Sequence, residues 1–262
     1  MSAIVEPQPA TKPAAQDKPT YKVAVGYLKR VHLCNEFVES LEHLRLVDDH
    51  PEGPHCIEHR EMHKVGSYRV DRERNTVVEG LLRYNPPVDI VVLLDDDHQF
   101  TPSQFYQLCS LVSAERPVMS GLYFAVHSHD RNQPYVRPLL LRESEGGNSY
   151  ETLWTYPKNE LVAVDSIGLG FCAIWAPMLR AWQKEHGPTW FEFGRRPNGK
   201  HTLEDEAFSR KVRHEMGLPI YVHTGICTPH WKSWGFCERD YQKQIAIYEK
   251  ENGTATSGAD NA

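Results

Sequence analysis

The sequence lacks closely spaced cysteines. Its six cysteines are scattered over 262 residues, and no two form a CxxC pair. Zinc ribbons, thioredoxin-type redox motifs and small disulfide scaffolds all require tighter cysteine spacing than this. We therefore expect reduced thiols and a cytoplasmic protein, or one of the host cytoplasm if the chain is viral.

The sequence is also short of apolar runs and of positive charge. No apolar run approaches membrane-spanning length, and the first residues lack the basic-then-apolar pattern of a signal peptide. The formal net charge is −6. Because broad nucleic-acid surfaces depend on basic patches, we expect no extended nucleic-acid surface. Gly168 and Gly170 do not complete a GxGxxG motif, so a dinucleotide-binding fold gains no support.

Strand-like and helix-like stretches alternate through the middle of the chain. Residues 1–19 and 251–262 have little to bury and are predicted to be disordered, which leaves one domain over residues 20–250. Alternating strands and helices predict an α/β fold with a mostly parallel central sheet, whose ligands gather beyond the carboxyl ends of the strands. The predicted strands cover residues 21–27, 88–94, 117–124, 162–175 and 219–226, and predicted helices begin near residues 33, 75, 101, 177 and 203.

Three adjacent aspartates follow the most hydrophobic predicted strand, residues 88–94. Two carboxylates 4 Å apart repel by roughly 4 kcal/mol at an effective dielectric near 20. A cation bound among them would offset this repulsion, so the cluster suggests a metal site. Asp95 and Asp97 point the same way if the segment is extended, which makes them candidate ligands for Mg²⁺ or Mn²⁺. The alternative is a solvated acidic turn that ends the strand.

The segment VVLLDDDHQF at residues 91–100, followed by Thr101–Pro102, resembles the signature of GT-A glycosyltransferases, especially small members similar to family 2. The order of further motifs agrees: Arg74–Asn75 upstream, then SGLY at residues 120–123, VDSIGLGF at 164–171, LEDEAF at 203–208, GLPIYV at 217–222 and His230. This resemblance implies a three-layer, Rossmann-like GT-A sandwich. It also implies transfer of a sugar from a nucleoside-diphosphate sugar to a hydroxyl-bearing acceptor.

The resemblance also implies roles for individual residues. Asp95, Asp97 and His230 would hold the metal ion, and Asp205 would act as the general base, with Glu204 as the next candidate. The donor nucleotide would be bound by residues from several parts of the chain, namely Tyr27, Arg74, Asn75, Asp95, Asp96 and Lys232. The first predicted strand, however, ends in GYLKR at residues 26–30, which departs from the family pattern and leaves the nucleotide base open.

Structural roles compete with several of these assignments. Thr202 and Asp205 stand three residues apart at a predicted helix start, so they could form a capping box. His230 could be a hydrogen-bonded structural histidine, and Arg74–Asn75 could cap the exposed start of a helix. A zinc site at His55, His59 and His63 is disfavoured, because HREMH lacks the HExxH spacing and no second ligand group follows.

Two other functions stay open from the residues alone. A nucleotidyltransferase acting on a sugar phosphate also uses paired aspartates and a metal, but ordinarily has a Gly- and Lys/Arg-rich loop after the first strand. Lys29–Arg30 provides only a fragment of such a loop. A non-catalytic carbohydrate-binding protein would explain the tryptophan-rich segment around residues 231–234 while leaving the acidic cluster structural.

Overall fold

The computed structural model describes residues 20–29, 33–64, 69–127, 135–196 and 198–231. The chain divides into a unit that ends at His230 and a second unit, Trp231–Ala262, and every helix and strand named here belongs to the first. Lys232 and the two predicted disordered tails lie outside the described residues. No helix in the described part of the chain is long and apolar enough to cross a membrane.

Seven strands form the central sheet, and six shorter strands form three hairpin-like pairs around it. In chain order the strands are β1 Val23–Lys29, β2 Ile57–Lys64, β3 Ile90–Asp95, β4 Val118–Leu122, β5 Phe124–His127, β6 Tyr135–Pro138, β7 Leu141–Glu143, β8 Tyr150–Thr152, β9 Leu161–Val164, β10 Phe171–Trp175, β11 Gly194–Arg195, β12 His201–Thr202 and β13 Ile220–Cys227. The central sheet has the order β2-β1-β3-β10-β4-β13-β9, and the small pairs are β5–β6, β7–β8 and β11–β12.

The central sheet is mixed rather than uniformly parallel. β1 pairs in parallel with β2 and with β3, and β4 pairs in parallel with β13. β10 is antiparallel to both β3 and β4, and β9 is antiparallel to β13. Five strands therefore run in one direction, and the start of β10 lies between the carboxyl ends of β3 and β4. This edge collects the candidate functional side chains.

Helices cover both faces of the sheet, which gives three layers. The helices are α1 Asn35–Asp48, α2 Val70–Leu82, α3 Pro102–Ser110, α4 Ala176–His186 and α5 Glu204–Arg210, the last continued by a π-helical turn over Lys211–Glu215. Alternate residues of β3 face opposite cores, as the period of a strand requires. Val91 and Leu93 pack in the core under α2 and α4, whereas Ile90, Val92 and Leu94 pack in the core under α1 and α3.

The predicted α/β alternation is confirmed, and two predicted elements were wrong in detail. Residues 162–175 form two strands rather than one, because the segment with Gly168 and Gly170 crosses from the edge strand β9 to the central strand β10. The second helix begins at Val70, five residues before the predicted start. β2 was not recognised as a strand. Its sequence IEHREMHK has no apolar alternation because β2 lies at the edge of the sheet.

Thr101 caps α3 as the sequence predicts. Its hydroxyl oxygen accepts a hydrogen bond from the Gln104 backbone N–H at 3.2 Å, and the Gln104 side chain accepts one from the Thr101 N–H at 2.9 Å. Pro102 occupies the first turn, where its missing N–H costs nothing. The Gln104 amide also donates to the carbonyl oxygen of Cys227 at 2.8 Å. The capping box therefore joins α3 to the end of β13.

We expect Thr101→Ala to lower the free energy of unfolding by about 1 kcal/mol, because one N-terminal amide of α3 loses its acceptor. Urea unfolding followed by circular dichroism measures this change. Ser103→Ala, at an exposed position in the same turn, is the control. Equal effects of the two substitutions would contradict a capping role for Thr101.

Candidate active site

The acidic triplet forms a turn rather than an extended segment. β3 ends at Asp95, and the His98 N–H donates a hydrogen bond to the Asp95 carbonyl oxygen at 3.2 Å. His98 then forms an isolated antiparallel bridge with His230, which follows β13. The extended segment on which the Asp95–Asp97 expectation depends is not present, because β3 stops at Asp95 and a turn follows.

Asp97, His98 and His230 form a compact cluster of potential metal ligands. One ligand atom from each side chain lies within 4.8 Å of the others. Nε2 of His230 is 3.3 Å from Oδ1 of Asp97. Asp97 and His98 are buried, and His230 is partly buried. Two imidazole nitrogens and a carboxylate oxygen are a donor set that first-row divalent ions accept.

The imidazole of His230 is oriented by the backbone. Its Nδ1 lies 2.8 Å from the Phe124 carbonyl oxygen, so Nδ1–H donates and the ring presents Nε2 to Asp97. A hydrogen bond from the other ring nitrogen to a carbonyl oxygen is the usual way to fix the tautomer and orientation of a metal-binding histidine. The His98 and His230 rings stack at 4.6 Å, and the Tyr123 ring packs edge-on against His98 at 4.3 Å.

Two glycines leave the space that these rings occupy. A Cβ on Gly170 would overlap the His98 imidazole, and a Cβ on Gly168 would overlap the Tyr123 hydroxyl. That hydroxyl in turn accepts a hydrogen bond from the Gly170 N–H at 3.1 Å. The glycines that interrupt the predicted strand at residues 162–175 therefore form a cradle for the histidine cluster.

Asp95 is paired with Arg74, and it is also close enough to His98 and Asp97 to feel their charges. Nη2 of Arg74 donates to Oδ1 of Asp95 at 2.8 Å, and Nε of Arg74 lies 3.4 Å from Oε1 of Glu204. The Arg74 side chain is only 6% exposed. Burial by itself raises the pKa of Asp95, but Arg74 and His98 together lower it by more, and the net result is a lowered pKa. Asp95 therefore stays ionised in a largely buried place.

Asp205 has the opposite electrostatic character. Burial, reinforced by the neighbouring charge of Glu204, raises its pKa to about 7. The capping-box alternative is not present: α5 begins at Glu204 with Leu203 as its N-cap, and the Thr202 hydroxyl donates to the Leu203 carbonyl oxygen. Oδ1 of Asp205 instead accepts the Glu206 N–H at 2.7 Å. A carboxyl with this pKa can take up a proton at neutral pH.

Three of the predicted nucleotide contacts, Arg74, Asn75 and Tyr27, lie outside the cluster of Asp97, His98 and His230. Arg74 and Asn75 belong to the second turn of α2, so the prediction that they open a helix was wrong. Asn75 binds backbone: Oδ1 accepts from the Trp190 and Phe191 N–H groups, and Nδ2 donates to the Phe191 carbonyl. Tyr27 is partly buried near the end of β1 with its ring 5.4 Å from Phe37.

Asp96 and Lys232 are the remaining predicted nucleotide contacts. Asp96 is 3% exposed, and its carbonyl oxygen accepts the Cys34 N–H at 3.2 Å. Lys232 lies outside the described residues. His98 was absent from the predicted ligands, although its position directly after Asp97 and a bend away from the strand could have suggested it.

Comparison with known proteins adds information on the fold alone. No family model matches this sequence, and no curated protein matches it. The structure of A197 from STIV is similar to this chain, with a TM-score of 0.50 and 15% sequence identity over 81% of this chain and 86% of A197. At this identity the similarity supports a GT-A-like α/β fold and says nothing about individual site residues.

Removal of the Arg74 charge should destabilise the protein more than loss of a surface ion pair. We expect Arg74→Gln to lower the free energy of unfolding by about 3–5 kcal/mol at pH 7, because Asp95 and Glu204 lose their counter-charge. The loss should shrink as pH falls towards 5, because the unpaired Asp95 takes up a proton in the folded variant. Urea unfolding at both pH values measures this effect.

The matched control is Arg83→Gln at the end of the same helix. Its guanidinium pairs with Glu79 at 2.6 Å, but the Arg83 side chain is 72% exposed. We expect a loss of at most about 0.5 kcal/mol there. A similar loss for both variants, or a loss for Arg74→Gln that does not depend on pH, would contradict the role given to Arg74.

Proposed function

We propose that this protein is a metal-dependent glycosyltransferase that moves a sugar from a nucleoside-diphosphate sugar to a hydroxyl-bearing acceptor. The observation that carries the proposal is the pairing of two features at one sheet edge. A carboxylate–imidazole cluster, Asp97–His98–His230, lies at the carboxyl end of β3. Asp205, whose pKa is raised to about 7, lies in the first turn of α5. Arg74 joins this helix to the same strand by pairing with Glu204 and Asp95.

The residues present fit a transition-metal ion better than an ion that prefers only oxygen. Mg²⁺ favours carboxylates, waters and phosphates, whereas imidazole suits the first-row transition metals, of which Mn²⁺ binds most weakly and is the most tolerant of oxygen ligands. We therefore favour Mn²⁺ over Mg²⁺, with Asp97, His98 and His230 as its ligands. Such an ion, when bound, lowers the basicity of the diphosphate that leaves the sugar. Asp95 then acts through its charge and through Arg74, near the ion rather than at it.

Asp205 is the proposed general base. It takes the proton of the acceptor hydroxyl as that oxygen bonds to the anomeric carbon, while the bond to the nucleoside diphosphate breaks. Glu204, the other candidate, lies 3.4 Å from Nε of the buried Arg74. Because the pKa of Asp205 is raised to about 7, Asp205 is the better candidate of the two.

The nucleotide contacts are part of the proposal too. Tyr27, Arg74, Asn75, Asp95, Asp96 and Lys232 are the candidates that the family resemblance implies. The position of Tyr27 supports a nucleotide contact most strongly. Its neighbour Leu28 is paired with Asp95 in the sheet, so Tyr27 lies at the same edge as the acidic turn. Support is weakest for Asn75, whose side-chain amide is hydrogen-bonded to the backbone of Trp190 and Phe191. The cytoplasm remains the proposed location.

A donor assay distinguishes the proposal from its rivals. The full chain is incubated with several nucleoside-diphosphate sugars, with and without Mn²⁺, and the products are separated. Release of sugar and nucleoside diphosphate that requires Mn²⁺ supports the transferase. Formation or consumption of pyrophosphate with a sugar phosphate supports a nucleotidyltransferase. Binding without turnover of any donor supports a carbohydrate-binding protein.

Loss of one proposed ligand should weaken metal binding. We expect His98→Gln and Asp97→Asn each to reduce Mn²⁺ affinity by about tenfold or more, because the ion loses a direct ligand. Titration of free Mn²⁺ by electron paramagnetic resonance measures the affinity without any need for activity. Asp49→Asn, an exposed aspartate at the end of α1, is the control. Unchanged affinity in both cluster variants would rule out this site.

Replacement of the base should affect turnover and leave binding intact. We expect Asp205→Asn to lower the rate by about 10²–10⁴-fold, because the amide cannot accept the proton. In the wild type the rate should rise with pH up to about 7, where Asp205 becomes ionised. A bound cation would move this midpoint downwards. A variant with a near-normal rate, or with the same pH profile as the wild type, would remove Asp205 from the mechanism.

A further inference from the structure

A small hairpin lies directly before the helix that carries Asp205. β11 and β12 pair through Gly194–Thr202 and Arg195–His201. Continuation of this antiparallel register makes Phe193 and Leu203 the next opposed pair, and Leu203 is also the N-cap of α5. The base of the hairpin therefore lies two residues from the proposed general base.

Strand alternation divides the hairpin into two faces. Arg195 and His201 are register partners and share one face. Extension of the strand alternation by one pair assigns Phe193 and Leu203 to the same face. All four are exposed, Phe193 by 40% and Leu203 by 57%. Thr202, on the opposite face, is 4% exposed. We call the four-residue exposed surface the hairpin outer face.

The opposite face is fixed to the protein. Arg196 forms an ion pair with Glu206 at 2.6 Å, and its guanidinium lies 4.7 Å from the centre of the Tyr150 ring. On the other side, the Asn75 amide binds the backbone of Trp190 and Phe191, just before the hairpin. These contacts hold the hairpin between α2 and α5. Its outer face is therefore a preorganised surface that adjoins Asp205 along the chain, two residues away at Leu203.

The outer face combines apolar area with positive charge. Two large apolar side chains in mutual register offer a surface on which a ring can lie. Arg195 provides a guanidinium fork that matches phosphate oxygens, and His201 adds a second nitrogen group beside it. The nearby Glu192 carboxylate is neutralised by Lys211 at 2.5 Å. The chain as a whole has a net charge of −6, so this basic face stands out. It favours a ligand that has both a negative charge and a ring with an apolar face.

The size of the face limits the ligand to one ring and one phosphate. Two residue steps along a strand span about 7 Å, and paired strands are about 5 Å apart. We propose that the hairpin outer face binds the acceptor, and that the acceptor is a phosphorylated sugar. The ring lies against Phe193 and Leu203, with its phosphate on Arg195 and His201 and its reacting hydroxyl towards Asp205. This inference rests on the proposed glycosyltransferase function.

Calorimetry with three probes tests the assignment on the full chain. Glucose 6-phosphate carries both features, glucose carries only the ring, and inorganic phosphate carries only the charge. We expect the ester to bind at least tenfold more tightly than either of the other probes. No measurable binding of the ester, or equal affinity for the ester and one of the two partial probes, overturns the proposal.

Variants then locate the binding. We expect Arg195→Gln to weaken glucose 6-phosphate binding by about ten- to hundredfold, because a charge-assisted hydrogen bond is lost. Phe193→Ala should weaken binding of the ester and leave inorganic phosphate unaffected. Lys184→Gln, an exposed cation in α4, is the control for general charge effects. Ester affinity that stays unchanged in Arg195→Gln, or falls equally in Lys184→Gln, overturns the assignment.

Donor hydrolysis measured in parallel separates this inference from the proposed function. Water replaces the acceptor in that assay, so metal-dependent release of sugar does not require the hairpin outer face. Hydrolysis without ester binding contradicts the acceptor site alone. Ester binding without hydrolysis of any donor leaves a phosphosugar-binding face and contradicts the transferase.

Discussion

The buried guanidinium of Arg74 is the constraint on which the edge of the sheet depends. It lies between Asp95 at the end of β3 and Glu204 at the start of α5, and so joins three elements that are distant in sequence. A buried charge is tolerated only with partners, and here each partner also needs Arg74. Removal of Arg74 leaves both carboxylates without their counter-charge. The ion-paired group therefore fixes the position of α5, and with it Asp205, relative to the acidic turn.

The same arrangement gives neighbouring carboxyl groups different protonation behaviour. Asp95 receives the Arg74 charge and has a lowered pKa, whereas Asp205 is dominated by burial and by the charge of Glu204, and has a pKa raised to about 7. Two carboxylates pushed in opposite directions are the usual sign of divided roles in a catalytic site. One can remain an anion throughout, and the other can exchange a proton at neutral pH. The environment makes the distinction, since the residues are chemically identical.

The sequence predicts the parts of this protein that local physics determines. The apolar run at β3 and the Thr101–Pro102 start of α3 follow from burial and capping, and both lie within a few residues of the prediction. The polar edge strand β2 carries no such signal. The cluster Asp97–His98–His230 shares two residues with the predicted ligand set, because the turn after Asp95 leaves Asp95 paired with Arg74 and brings His98 to His230. Both outcomes depend on tertiary contacts from residues 74 and 230, which no local pattern contains.

The two halves of the site are held by separate sets of contacts. Near the histidine cluster, the Gln99 N–H donates to the Pro229 carbonyl at 3.0 Å, and the Gln104 amide donates to Cys227 at 2.8 Å. Asp205 is positioned instead by α5, through the contacts of Arg74 with Glu204 and of Arg196 with Glu206. Because these two sets share no residue, a disturbance of the α5 contacts can displace the base while the ligand cluster keeps its geometry. Metal binding and proton transfer are therefore separable properties of one sheet edge, linked where Arg74 reaches Asp95.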